Sequence, residues 1–366
     1  MADAPLNSSD YLMLDRLQNP PLNKELNQYL IDIKTANYQS IFPVQSQEIF
    51  KEKAALCELL GKKFSRPFSF NLESFYCLLT NLCSANWKIA LALSSHDMLY
   101  CAYWELPLQY RENIFPLLPD FTSGSISQDS INAALNWGAN CFIVPVLNED
   151  ILTLNAIESL PQNVIKVVDI SYALALNLPL PQADIMLLNG ENLGIMRPFG
   201  IFASNEYWGV YGVSNNFLEI PRLYETFRQA IMLKNSNAKS ATNEIPIDLA
   251  RIFFDALCIN LEKMGMRESC YLFYQTPPNT LALGLKGIKA RNLIQSLLFD
   301  DIGVINGQEC LFGFARPSFV LREMGYSEAQ ARELLSLSFL DISSSLIPEI
   351  AQKIAKRYLQ LRNLEH

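Results

Sequence analysis

The sequence predicts an α/β protein of two domains, a larger one on a mostly parallel sheet and a smaller α+β one carrying the C-terminal part. Three observations predict it. The chain has 366 residues, and single hydrophobic cores stop growing near roughly 250–300 residues. From Trp87 to Leu188 short apolar runs alternate with helix-like pieces, the pattern of strands covered by helices on both faces. Beyond the polar, aperiodic stretch Lys234–Asn243 the order changes to a long helix, two strands and further helices. The boundaries are an N-terminal arm over 1–20, a large domain over 21–230 and a small domain over 231–366 that packs with the arm.

Each element has its own signal. Pro5, Pro20 and Pro21 make residues 1–25 an extended arm with turns. Helical periodicity begins after Asn23 and recurs over Ser46–Leu60, where Ile49, Ala54, Leu56, Leu59 and Leu60 share one broad face before Gly61. Strands are expected at Lys88–Leu93, Cys141–Val146, Val164–Asp169 and Asp184–Leu188. Lys234–Asn243 reads as a surface loop. After it come a helix over Pro246–Met264, strands over Cys270–Gln275 and Thr280–Leu285, and a helix over Ala290–Phe299. A short buried strand then leads into a loop carrying Cys310, followed by terminal helices.

Composition narrows the function classes. Half the residues are hydrophobic, yet no apolar run approaches the roughly 18–20 residues of a membrane span, and the amino terminus lacks a signal-peptide pattern. A cytoplasmic location follows as the expectation. The net charge of −8 argues against nucleic acid, whose binding is driven by neutralising phosphates with Lys and Arg. The eight cysteines include no CxxC pair and no histidine spacing for zinc. Apart from Cys310, they read as buried free thiols.

Several landmarks in register carry a family resemblance. Gly307-Gln308-Glu309-Cys310, then Arg316-Pro317-Ser318 and Val320-Leu321-Arg322-Glu323-Met324-Gly325, resemble the catalytic loop of cysteine desulfurases and the helix after it. Leu14-Asp15 with Pro21-Leu22 is similar to the family's N-terminal arm, and Asn37-Tyr38-Gln39-Ser40 to its Asn-Pro-Ser-Ser turn. Ser95-His96, Asn148-Glu149 and Val168-Asp169 stand where the family has a ring-stacking histidine, an asparagine near the cofactor hydroxyl and an aspartate on the pyridine nitrogen. The resemblance is to class V aminotransferases, the NifS-like group of pyridoxal-phosphate (PLP) enzymes with the type I transferase fold. It implies a homodimer with sites at the subunit interface. A carboxylate beside the ring nitrogen keeps it protonated, and an aromatic ring above fixes the cofactor plane. Asp169 also ends an apolar strand, the edge where open α/β sheets bind ligands.

The same alignment exposes four departures. The Schiff-base lysine of the family falls on Asn192, whose amide nitrogen is not nucleophilic. The phosphate-binding loop reads Ser69-Phe70-Asn71-Leu72-Glu73-Ser74, with bulky Phe70 and Leu72 where backbone amides should face a phosphate. Asn189 and Glu191 replace further donors, and a carboxylate beside a dianion is repulsive. Tyr172 replaces a ring-contacting glutamine, and Ser336 stands at the arginine for the substrate carboxylate, removing a bidentate pair. Arg197 and Arg316 are the arginines that could compensate.

For Cys310, flanked by Glu309, Leu311 and Phe312, the surroundings raise rather than lower a thiol pKa. The reading is a noncatalytic homologue with no cofactor expected and a vestigial PLP site of His96, Asn148, Asp169 and Tyr172. It acts by binding, with a protein partner in sulfur metabolism or its own active paralogue as candidates. The rival is an active PLP-dependent desulfurase or aminotransferase using Cys310, His96 and Asp169. A third reading gives the vacated cleft a different small molecule held by Tyr172, Glu191 and Asn192.

Overall fold

The computed structural model describes residues 12–31, 43–207, 221–240, 248–266, 270–273, 275–306 and 316–364. The chain opens with β1 (Leu12–Met13), α1 (Lys24–Ile31), α2 (Pro43–Leu59), β2 (Phe64–Pro67) and α3 (Leu72–Ser84). Next come β3 (Ile89–Ala92), α4 (Asp97–Glu105), α5 (Leu108–Arg111), β4 (Ile114–Leu117), α6 (Gln128–Trp137) and β5 (Cys141–Pro145). The sheet is completed by β6 (Ile165–Asp169), α7 (Ser171–Ala175), β7 (Ile185–Asn189) and β8 (Gly200–Ser204), after which α8 (Pro221–Ser240) begins.

These strands form one seven-stranded sheet in the order β2-β8-β7-β6-β5-β3-β4. The pairs from β4 through β7 are parallel, and β8 alone is reversed against its neighbours β7 and β2. Side chains alternate between two cores, as the period of a strand demands. Ala90, Phe142, Val144, Val168, Met186 and Leu188 face Leu223, Tyr224 and Phe227 of α8. Their neighbours Ile89, Leu91, Cys141, Ile143, Val167 and Ile185 face Phe75, Leu78 and Leu82 of α3.

The four strands expected for this sheet are present, each end within one residue of its expected position. Sequence reading missed β2, β4 and β8. Two of them are the sheet edges and carry Pro67 and Pro116, residues tolerated there because an edge has no second ladder to feed.

The rest of the chain supplies α9 (Leu249–Lys263), β9 (Cys270–Leu272), β10 (Thr280–Leu285), α10 (Ala290–Leu297), β11 (Ile302–Gly303), α11 (Phe319–Glu323), α12 (Glu328–Ala331), β12 (Leu334–Ser338) and α13 (Ile347–Leu364). An antiparallel sheet β12-β10-β9 packs through Leu281, Leu283, Leu335 and Leu337 against Phe253 and Leu257 of α9 and Ile354 and Tyr358 of α13. The arm joins this part of the molecule. β1 pairs in parallel with β11, and Ser338 N donates to Leu14 O at 2.7 Å.

One expectation is corrected. Residues 234–240 are the last turns of α8, not a surface loop, and residues 241–243 of the expected loop lie outside the described residues. Lys234, Asn237, Ala238 and Lys239 show no apolar period, but the helix is already nucleated by Leu223, Tyr224 and Phe227 in the core, and propagation costs little once a turn exists.

Candidate functional site

The landmarks converge at the C-terminal ends of β3, β5, β6 and β7, four adjacent strands. His96 lies just beyond β3, Asn148 and Glu149 beyond β5, Asp169 ends β6, and Asn192 sits in the single turn of 3-10 helix after β7. Parallel strands deliver their loops to the same edge, so residues about twenty to fifty positions apart in sequence meet there.

His96 caps α4 while pairing with the next residue. Its Nδ1 accepts from Met98 N at 3.2 Å and lies 2.9 Å from Asp97 Oδ1. Burial pushes the Asp97 carboxyl up, but His96, the Met98 amide and the Arg197 charge outweigh it and hold the group below its ordinary range. The faces and edges of the ring are used by phenylalanines: Phe70 meets it edge-on at 5.2 Å and Phe75 lies tilted at 5.9 Å.

Asp169 is half-buried beside this pair. Its Oδ1 accepts from both Ser171 N at 2.9 Å and Ser171 Oγ at 2.5 Å, and Ser171 Oγ in turn accepts from Asn189 N. Burial raises its pKa, opposed by the Ser171 bonds and the His96 charge. Tyr172 donates to Glu149 Oε2 at 3.0 Å. Burial and the charges of Asp150, Asp97 and Asp169 push Glu149 well above the usual carboxylate range. Two buried carboxyls, Glu149 and Asp150, and two half-buried ones, Asp97 and Asp169, therefore crowd one region, and Glu149, which sequence reading left without a role, is the most strongly affected. Its signal was the acidic pair Glu149-Asp150 at a strand end.

Asn148 belongs to a closed polar network. Its Oδ1 accepts from Ser94 Oγ and Asn155 Nδ2, and its Nδ2 donates to Gly124 O, Thr153 Oγ1 and Asn155 Oδ1. The amide is fully committed to this network. Asn192 is buried and its Nδ2 points to Leu17 O at 3.4 Å, so the arm takes up the group at the expected lysine position. Leu17 packs with Leu147, Leu152 and Tyr172.

The expected phosphate loop is filled. Asn71 caps α3 by accepting from Ser74 N at 3.0 Å, and the Phe68, Phe70 and Phe75 rings pack edge to face at 5.2–5.5 Å. Glu191 forms a bidentate pair with Arg197, through Nε to Oε2 at 2.6 Å and NH2 to Oε1 at 2.5 Å. Arg197, one of the two arginines singled out in the sequence, thus reaches this edge but is taken by an acid. Ser336 is wholly buried and donates to Asp150 O, while Asp150 Oδ2 accepts from Ser318 Oγ at 2.6 Å. The expected substrate-carboxylate position is therefore part of a seam that ties the loop after β5 to β12 and α11. Cys310 and the Asn37–Ser40 turn lie outside the described residues.

This donor set does not fit covalently anchored PLP. The amide at 192 offers no amine, the α3 start presents its amide to Asn71, and at the position expected to supply phosphate donors stands the Glu191 carboxylate, paired with Arg197. Asp169 stands at the expected pyridine-partner position, with its Oδ1 already accepting from Ser171 N and Oγ. Among the described residues no cluster of His, Cys, Asp or Glu is arranged to hold a metal ion.

No family model matches the sequence, and no curated protein matches it. Solved structures do. A NifS-like protein superposes with a TM-score of 0.71 at 13% identity, covering 96% of this chain and 100% of the other. A cysteine desulfurase from Thermococcus onnurineus gives 0.67 at 11% identity, with 98% and 100% covered. Serine palmitoyltransferase from Sphingomonas wittichii gives 0.61 at 14% identity, with 96% and 88% covered. No helix of the described residues is long and apolar enough to cross a membrane. The mostly parallel seven-stranded sheet, its one reversed strand and these superpositions over nearly the whole chain identify the fold as the class V aminotransferase-like form of the type I PLP-dependent transferase fold.

Proposed function

We propose that this chain is a noncatalytic homologue of the cysteine desulfurase-like enzymes, retained for binding. The observation that carries the reading is Asn192, buried at the expected lysine position with its amide nitrogen directed at Leu17 O. A side chain that cannot form an imine has been absorbed into the packing of the arm. Phe70 beside His96, Glu191 paired with Arg197, and Ser336 bonded to Asp150 support it from three other corners of the site. The protein acts in the cytoplasm as a homodimer, and its partner is a protein of sulfur metabolism or an active paralogue. A nucleic-acid partner is disfavoured by the net charge of −8.

The rival reading is an enzyme that holds PLP noncovalently, with His96 and Asp169 on the ring and Cys310 as the thiol. The survival of His96 next to Asp169 favours it, because the His96 charge opposes the burial that raises the Asp169 pKa and so supports the carboxylate a pyridinium needs. The visible spectrum of the purified protein separates the two, recorded before and after incubation with excess PLP and desalting. The noncatalytic reading expects no cofactor band in either state. A retained band would sink it.

A further inference from the structure

A cavity lies apart from the residues at the strand ends, bordering the turn that holds Asn192. It has a volume of about 290 Å³ and is bounded by the arm, by Leu193 and Gly194, by α8 and by the residues after β12. Its frame is fixed. Asn23 N donates to Gly194 O at 2.9 Å and Asn27 Nδ2 to the same oxygen at 2.8 Å. Gly194 has φ +77°, and a Cβ there would come within 2.9 Å of Pro21 O, so the arm is seated directly on this turn.

The wall chemistry is uneven. Pro20, Leu26, Leu193, Ala230, Leu233 and Leu340 supply apolar surface. Against it stand two cations and one anion. Arg16 NH1 pairs with Asp341 Oδ2 at 2.9 Å. Lys234 is half-buried in the same wall, and its ammonium makes no hydrogen bond or ion pair with a described residue, Asp341 acting on it only at a distance. Burial lowers its pKa, the mark of an ammonium that has lost water without gaining a partner. The three charges sum to one uncompensated positive charge, a match for one negative charge. The start of α1 borders the pocket, but Leu26 N donates to Asn23 Oδ1 and Asn23 N to Gly194 O, so these amides are already engaged where a phosphate would ask for them.

We propose that this pocket binds a small amphipathic monocarboxylate, its apolar tail against Leu26, Leu193 and Leu340 and its carboxylate on Lys234, with Arg16 at the rim. The volume sits at the lower end of small-molecule sites and suits about ten non-hydrogen atoms. The inference is independent of whether the strand-end site binds PLP, because none of its residues belongs to that site.

Isothermal titration of the full chain at neutral pH with octanoate, octan-1-ol and octylamine tests it. Octanoate is expected to bind saturably with one site per chain, octanol at least roughly tenfold more weakly, and octylamine not at all. Lys234→Gln should weaken octanoate about ten- to a hundredfold, as loss of a charge-assisted hydrogen bond predicts. Lys234→Arg should retain it, and both variants should melt close to the parent because the side chain has no structural partner. Equal affinity for octanol, an unchanged affinity in Lys234→Gln, or no saturable heat up to roughly millimolar octanoate would each overturn the proposal.

Discussion

Tyr172 donates its phenolic hydrogen to Glu149 Oε2 across 3.0 Å, and the accepting carboxyl is buried among Asp97, Asp150 and Asp169. At the position expected from the sequence to contact a cofactor ring, the Tyr172 hydroxyl instead satisfies an acid that the fold has buried.

Replacing that acid by its amide should stabilise the protein, and only on one side of the pH scale. The folded-state pKa of Glu149 lies well above its ordinary 4.5. Its stabilising contribution is thus fully present below about 4.5 and is lost as pH rises through the folded value. Glu149→Gln keeps an acceptor for Tyr172 and removes the ionisation. The variant is expected to melt roughly 1–3 °C above the parent at pH 8, and the gap should close as pH falls towards 4. A gap that widens in acid would contradict the buried-acid account.

Restoring the lysine should not restore the chemistry. Asn192→Lys puts an ammonium into a buried turn whose polar contact is Leu17 O, while Phe70, Asn71 and Glu191 still occupy the positions expected to surround a phosphate. The expected outcome is a colourless protein after incubation with PLP and desalting, and a stability loss of about 1–3 kcal/mol in urea. Appearance of an aldimine band would mean that the lysine was the only missing part.

How far the sequence carried this site depends on the kind of residue. Local signals sufficed for Cys141–Pro145 and Ile185–Asn189, whose unbroken apolar runs are the pattern of a doubly covered parallel sheet. Strand ends then placed His96, Asp169 and Asn192 together, since topology and not spacing brings them to one edge. What the linear text hid were the cross-element partners. Nothing near Asp150 announces Ser318 and Ser336, more than 160 residues away. The helical continuation to Ser240 was hidden for a related reason, because its support comes from residues of the core upstream and not from its own composition.

The Asp150 junction can be dissected by two substitutions at one position. Asp150 has φ +59°, a conformation that Asn tolerates and Ala does not. Its Oδ2 accepts from Ser318 Oγ, which also caps α11 through Leu321 N. Asp150→Asn is expected to stay within about 1 kcal/mol of the parent, since the amide oxygen can still accept. Asp150→Ala should lose about 2–4 kcal/mol, combining left-handed strain with a buried hydroxyl left without its acceptor. Urea denaturation of the two variants checks the ordering, and equal losses would show that the side-chain bond contributes nothing.

Phe70 tests whether the aromatic cluster is structural filling or a gate. Its ring packs against Phe68, Phe75 and His96 and lies close to Gly200, where an added Cβ would come within 3.0 Å of Phe70 Cδ2. As filling, Phe70→Ala leaves a void and should cost about 3–5 kcal/mol. The same variant opens space beside His96, yet it leaves Asn71 on the α3 amide and Glu191 on Arg197. Added PLP should therefore leave its melting temperature unchanged. As a gate, the ring would be the one obstacle, and PLP would raise the melting temperature of the variant while leaving the parent unmoved. The Gly200→Ala variant supplies the control for packing. Its Cβ would meet Phe68 O at 2.6 Å and Leu188 O at 2.8 Å, backbone atoms of the two neighbouring segments that cannot rotate away. Removing the Phe70 ring should not rescue it, and a double variant as stable as Phe70→Ala alone would place the obstruction in the ring after all.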